Sequence, residues 1–429
     1  MLTLTNAKLF DGEKMRAGPW SVTLDGDRIT SVSDAPAIGA AGETIDLGGM
    51  TLMPGLVSSH FHADFFKFDL AAAMRGEQLG KELPPGVGMA MGVRQCRVLL
   101  ESGFTGYVGA GCAHDIDASL KIAIAEGIVP GPRIMAGGHH CGTTADANAA
   151  LKWWQTYQTP GIDMFADGPE GMRKLVRDEI RRGVEVIKIF ASPGHLIPGH
   201  RGPQNMAYDE IAAVVEAAHQ RGAKVRAHVC TKDVILQCLE LGVDIIDHGD
   251  EVDEECLEAF VETGAFWVPS LTFTKVLMDM GADTTGEYLD AWTRLRPLLP
   301  KAQKAGVRIL IGDDYSGVMR GIVEDDPLDH QVGCYGRELP FYEEWVEGVS
   351  AADILSWGTK NPGELMGGPA GKLGVVEAGA LADLIVVDGD PVADLSLLAR
   401  PQEALKAVIR DGALVIDRLP PQNRQRAAA

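Results

Sequence analysis

Between Thr51 and Gly371 short apolar runs alternate with helix-length amphipathic segments, and this alternation constrains the fold more than any other feature of the chain. Val186-Ile187-Lys188-Ile189-Phe190 has the length of a strand, and Tyr208 to Gln220 that of a helix. Parallel strands need long crossovers, which helices supply, so repeated strand and helix units predict a parallel β/α architecture. A chain of 429 residues holds a barrel of that kind, roughly 250 residues or more, together with a small accessory domain.

The two ends have a different texture. Leu2 and Leu4, then Trp20, Val22 and Leu24, alternate with polar residues around Asp25-Gly26-Asp27, as short antiparallel strands do. Strand texture returns after Gly371, in Leu384 to Val387 and in Ala407 to Ile416, where Asp411-Gly412 supplies a hairpin turn. The expected fold is therefore α/β: a (β/α)8 TIM-like barrel over residues 54–371, flanked by a small β-sandwich assembled from residues 1–53 and 372–418. From Leu419 the chain runs through Pro420-Pro421-Gln422-Asn423-Arg424-Gln425-Arg426 into three alanines, with little to bury, and residues 419–429 read as a frayed, disordered tail.

Charge removes some function classes. The chain carries 39 Lys and Arg against 60 Asp and Glu, a net charge of −21, and no run of basic residues offsets the repulsion of a phosphate backbone. Nucleic acid is not an expected partner. Seven cysteines (Cys96, Cys112, Cys141, Cys230, Cys238, Cys256, Cys334) form no CxxC pair and fit buried thiols in a reducing compartment. Met1 to Met15 lacks the features of a signal peptide, and no uncharged apolar stretch reaches the ~18 residues of a membrane span. A cytoplasmic location and no membrane association are expected.

Candidate metal ligands stand where strands end. Pro54-Gly55-Leu56-Val57-Ser58-Ser59-His60-Phe61-His62 closes an apolar run with His-x-His, and residues i and i+2 of a strand share a face, so both imidazoles can approach one cation. Alone, such a pair reads equally well as surface or capping histidines. However, Val225-Arg226-Ala227-His228 and Val243-Asp244-Ile245-Ile246-Asp247-His248 also end apolar runs in histidine, and Val307 to Gly312 runs into Asp313-Asp314. A β/α barrel gathers the C-terminal ends of its strands at one mouth. Lys188 lies inside an apolar run, where an uncompensated ammonium is costly. It either pairs with a barrel acid or is N-carboxylated by CO2 to a carbamate that can bridge two metals.

Together with Gly183-Val-Glu-Val-Ile-Lys-Ile-Phe-Ala-Ser192, Ala218-His-Gln-Arg-Gly-Ala-Lys-Val-Arg-Ala-His228, Gly242-Val-Asp-Ile-Ile-Asp-His-Gly249 and Gly379-Ala-Leu-Ala-Asp-Leu-Ile-Val-Val-Asp-Gly-Asp-Pro391, of which only the last two would be persuasive singly, the segment 54–62 resembles the amidohydrolase superfamily over nearly the whole chain. The likeness is to its imidazolonepropionase-like branch, which includes Xaa-Pro and other metal-dependent dipeptidases. The resemblance implies two divalent metal ions, zinc by the family's habit and by the nitrogen and oxygen donors. His60, His62 and the acid after the last barrel strand would hold the more buried metal, His228 and His248 the other, and carboxylated Lys188 would bridge them. The family pattern Gly-Thr-Asp, laid over Gly312-Asp313-Asp314, puts the acid at Asp314, with Asp313 as the alternative.

The implied reaction is hydrolysis of an amide or peptide C–N bond in a dipeptide, N-acyl amino acid or related amide. A hydroxide bridging the two metals would attack, and Asp314 would carry its proton to the leaving amine. A bulky non-peptide amide, ester or lactone is the alternative substrate. His140, in Ala136-Gly137-Gly138-His139-His140, is the candidate substrate contact, with His139 beside it; Trp153, Trp154, Tyr157 and Phe165 could form an aromatic lid. His195, His200 and Arg201 lie near the expected mouth. Cys230 stands where relatives commonly have Tyr, which puts one polar substrate contact in doubt. A mononuclear deaminase would need an acid just after His228, and His228-Val229-Cys230-Thr231 offers none. A barrel that had lost its metals is the non-catalytic alternative, against which all six ligands stand. A homo-oligomer is expected from the resemblance alone.

Overall fold

The computed structural model describes residues 1–35, 42–64, 84–144, 161–193, 204–281, 283, 285–314, 332–368 and 371–426. The N-terminal segment forms β1 (Leu2–Phe10), β2 (Met15–Asp25), β3 (Arg28–Ser33), β4 (Glu43–Asp46) and β5 (Thr51–Pro54). The middle of the chain supplies β6 (Leu56–Phe61), β7 (Phe104–Gly109), β8 (Arg133–Met135), β9 (Gly137–Gly142), β10 (Asp163–Phe165), β11 (Val186–Phe190), β12 (Lys224–Val229), β13 (Ile245–His248), β14 (Phe266–Val268) and β15 (Arg308–Ile309). After several helices come β16 (Leu384–Val387), β17 (Leu405–Arg410), β18 (Ala413–Asp417) and β19 (Arg424–Arg426).

The two chain ends meet in one nine-stranded sheet, because β5 pairs antiparallel with β16 (Leu384 opposite Pro54) and parallel with β1. Strands β17 and β18 turn through Asp411 and Gly412, both at positive φ (50° and 73°), as the tightest hairpin turns require. The sheet has its own apolar core, including Leu4, Leu9, Val22, Ile45, Leu384 and Ile409. The tail departs from expectation. Arg424–Arg426 pairs antiparallel with β4, and Leu419 is buried in the sheet's core. The polar spelling of the tail hides this, because an edge strand needs only backbone partners, and β4 has an open edge that β19 covers.

The barrel strands are parallel. β6, β7 and β8 form one sheet, and β10, β9, β11, β12, β13, β14 and β15 another, in that order. Single backbone hydrogen bonds link the two: Cys112 N to Gly138 O (2.9 Å) on one side, Ser59 N to Ile311 O (2.9 Å) on the other. This ring of parallel strands is consistent with a TIM-like barrel. Val57, Val108, Val186, Ile245, Val268 and Leu310 fill its interior as one apolar cluster. Residues i, i+2 and i+4 of a strand share a face, so Lys188 and Phe190 follow Val186 toward the same interior.

Trp357 braces the closure. Its side chain is fully buried, its indole N–H donates to Gln303 Oε1 (2.8 Å), its carbonyl accepts Ile311 N–H (3.2 Å), and its ring meets Tyr342 edge-on at 5.5 Å. Trp357→Ala is expected to cost about 3–5 kcal/mol, as large aromatic truncations in a core do, measured as a lower urea midpoint with an unchanged m-value.

Among the described residues no helix is long and apolar enough to cross a membrane. All seven cysteines are free thiols, five of them buried.

Candidate metal centre

Beyond the apolar layer the barrel becomes polar toward the C-terminal ends of its strands. His60 lies in β6 and His62 just past it, His228 near the end of β12, His248 at the end of β13, and Asp314 beyond β15. All five are buried. The ligand atoms of His60, His62 and Asp314 lie within 4.8 Å of one another. Asp314 Oδ1 is 3.1 Å from His62 Nε2 and 3.6 Å from His60 Nε2, and its Oδ2 is 4.0 Å from His248 Nε2. The rings of His228 and His248 are 4.5 Å apart, and that of His60 is 5.4 Å from His248.

Local backbone geometry serves this convergence. His248 (φ 65°) and Asp314 (φ 58°) both take the left-handed conformation, which costs a non-glycine residue about 1–2 kcal/mol. The carbonyl of His248 is held by Trp267 Nε1 at 2.9 Å. Gly312 lets the end of the last strand approach the first: a Cβ there would stand 2.5 Å from His60 N.

Two of the rings are anchored from outside the cluster. His62 Nδ1 is 2.8 Å from Gly111 O, and His228 Nε2 is 2.9 Å from Pro193 O. A carbonyl can only accept, so each of these nitrogens carries a proton. The other ring nitrogen of His62, Nε2, is hydrogen-bonded to Asp314 Oδ1 at 3.1 Å. Burial pushes the pKa of His60 down to about 4, against the carboxylates of Asp247 and Asp314. Asp314 stays ionised, because although desolvation opposes its charge, His60 and His62 outweigh that effect. Imidazole nitrogens and a carboxylate oxygen gathered within 4.8 Å in a buried site are donors of the kind a divalent metal takes, and this set therefore fits one.

Asp313 is also buried but stands apart, among Cys334, Tyr335 and Tyr342, whose ionisation its charge opposes. Of the two candidate acids, only Asp314 joins the histidines.

Lys188 is buried, and its Nζ donates to Asp247 Oδ2 at 2.6 Å. This is the barrel-acid pairing that its place in an apolar run allows. Desolvation lowers its pKa, Asp247 opposes that shift, and Arg226 adds to it. Asp247 and Arg226 escape notice in a search of strand ends because both sit inside strands. The signal that could have found them is the one that marks Lys188, a charged residue in an apolar run.

His140 lies beside the cluster, its ring 5.8 Å from that of His62 and 5.0 Å from that of Phe190, with Nδ1 3.2 Å from Asp163 Oδ1. His139 does not accompany it. Adjacent strand residues point to opposite faces, and His139 binds Glu179, on the helix Gly168–Arg181, through both Nδ1 (3.0 Å) and its backbone N–H (2.8 Å). Cys230 Sγ is 3.5 Å from His228 Nε2. Phe165 is exposed at the end of β10. Trp153, Trp154, Tyr157, His195, His200 and Arg201 lie outside the described residues.

The sequence profile of a known family matches residues 51–415. The chain belongs to the amidohydrolase family. It is accordingly an enzyme that hydrolyses C–N bonds. It is 27% identical over 381 residues to ochratoxinase of Aspergillus niger, spanning 82% of this chain and 73% of that protein. Among solved structures it is similar to a prolidase in complex with N-methylphosphonate-L-proline (28% identity, TM-score 0.81, 97% of this chain and 99% of that one). It is also similar to a Xaa-Pro dipeptidase with methionine bound in its active site (25% identity, TM-score 0.80, 97% and 99%).

Proposed function

We propose that this amidohydrolase is a metal-dependent hydrolase that cleaves the amide or peptide bond of a dipeptide, N-acyl amino acid or related small amide. The observation that carries the reading is the convergence of His60, His62 and Asp314 ligand atoms within 4.8 Å. In this reading His60, His62 and Asp314 hold one divalent cation, His228 and His248 a second, and Lys188 bridges them once its amine has added CO2 (R-NH2 + CO2 → R-NH-CO2⁻ + H⁺). Zinc suits a set of imidazole and carboxylate donors. Bound there, such cations supply Lewis acidity that polarises a carbonyl and acidifies water.

The side chains do the rest. Asp314 takes the proton that the attacking water loses and returns it to the leaving nitrogen, which departs as a neutral amine. His140, oriented by Asp163, is placed to hold the substrate. The names of the relatives span prolidase, Xaa-Pro dipeptidase and ochratoxinase, which supports a small amide as the substrate class. Phe190 stacks on His228 at 4.8 Å and Phe273 lies 5.7 Å from His248. These apolar walls favour, as the second reading, a bulky non-peptide amide, ester or lactone.

Elemental analysis of protein prepared with zinc and bicarbonate tests the metal reading. About two metals per chain are expected, falling to one or fewer in Lys188→Ala. No stoichiometric metal in the unaltered protein would sink it. Hydrolysis of a panel of Xaa-Pro and other dipeptides, N-acyl amino acids, esters and lactones then separates the two substrate readings.

A further inference from the structure

Beneath the proposed metal centre lies a buried charge cluster that shares two of its ligands, Lys188 and His60. Asp247 is fully buried, and four polar groups surround its carboxylate. Lys188 Nζ (2.6 Å) and Arg226 Nε (3.0 Å) donate to Oδ2, Arg226 Nη2 donates to Oδ1 (2.5 Å), and His60 Nδ1 lies 3.3 Å from Oδ1. Arg226, also fully buried, donates its remaining arm to Gly109 O at 2.9 Å and so ties the cluster to β7, which belongs to the other barrel sheet.

We propose that Asp247, clamped by Arg226, is a positioning residue that holds Lys188 and His60 in their ligand orientations at once and so couples the two metal positions. This rests on the reading of Lys188 and His60 as ligands. A carboxylate has two oxygens at a fixed angle; here Oδ2 takes the lysine and Oδ1 faces the outward nitrogen of His60. The bidentate guanidinium fixes the plane in which those oxygens lie. A lysine carbamate keeps one N–H, so Asp247 Oδ2 can accept from the same nitrogen before and after CO2 is added. Arg226 remains as the counter-charge of Asp247 when Lys188 is no longer a cation. A purely structural ion pair would need neither the lysine nor the histidine at its edges.

The experiment uses the full chain prepared with zinc and 13C-bicarbonate, as wild type and as Asp247→Asn. Three quantities are compared: metal per chain after dialysis against a chelator series, the 13C resonance of a lysine carbamate, and the circular dichroism spectrum. The expected result is an unchanged spectrum with metal affinity lowered about 10- to 100-fold and a diminished carbamate resonance. Should Asp247→Asn not fold, Arg226→Met/Asp247→Asn removes both charges of the pair together and is expected to give the same losses. A wild type that binds two metals and shows the carbamate, beside a folded variant that matches it in both, overturns the inference and leaves the proposed function standing. A wild type with neither metal nor carbamate overturns both.

Discussion

Asp314→Asn is expected to lower kcat by about 10²- to 10⁴-fold, the usual worth of a positioned acid or base, while the protein stays folded. Asn matches Asp in size and, like Asp, tolerates the left-handed backbone found at φ 58°, so the substitution adds little strain. It removes the negative charge that His60 and His62 surround, and with it the carboxylate proposed to carry a proton between water and amine. Asp313→Asn is the companion control. Because Asp313 stands among Cys334, Tyr335 and Tyr342, its loss is expected to change kcat only a few-fold. Turnover by the two variants, with metal content and circular dichroism measured on the same samples, decides the matter. An unchanged kcat in Asp314→Asn would move the proton carrier elsewhere.

Arg226→Ala is expected to destabilise the fold by about 3–5 kcal/mol, the range found when one partner of a buried ion pair is removed. The guanidinium is fully buried and makes three short hydrogen bonds, two to Asp247 and one to Gly109 O. Its removal leaves a void and an unsatisfied carbonyl, and it leaves Lys188 as the one remaining cation on Asp247. Arg226→Lys should recover only part of the loss, since a single ammonium cannot span Asp247 and Gly109 as the planar fork does. Urea denaturation of the three proteins measures this. A midpoint for Arg226→Ala equal to that of the wild type would show that the pair contributes nothing net to stability, as some buried pairs do not.

Much of this arrangement can be read from the chain alone, for identifiable reasons. The parallel β/α organisation is legible because buried strands are written as unbroken apolar runs, such as Val186 to Phe190, and because the Asp411-Gly412 turn has a strong local signature. His60, His62, His228, His248 and Asp314 are legible because each ends such a run. What stays hidden depends on partners distant in sequence. Nothing in the spelling of β12 or β13 says that Arg226 and Lys188 share the carboxylate of Asp247, since that follows from the stagger of neighbouring strands. The opposite directions of His139 and His140 follow from strand parity once their segment is known to be β9. Asp163 reaches His140 only because β10 adds to the edge of β9 in register, Asp163 opposite His140. The tail was misleading because backbone pairing leaves no mark in side-chain polarity.

The bonds that join the first barrel strand to the last set an order of events during synthesis. Ser59 N–H meets Ile311 O, and Asp314 meets His60 and His62, so a nascent chain carries both histidines long before the acid that completes their set has been translated. The sheet of the chain ends waits longer still, for Leu384 to reach Pro54. In the proposed reading, capture of a cation by all three side chains would therefore be a late event that joins the first barrel strand to the last. A ligand that binds only the closed form stabilises it in proportion to the logarithm of its free concentration, so metal starvation would weaken the ring at that seam first.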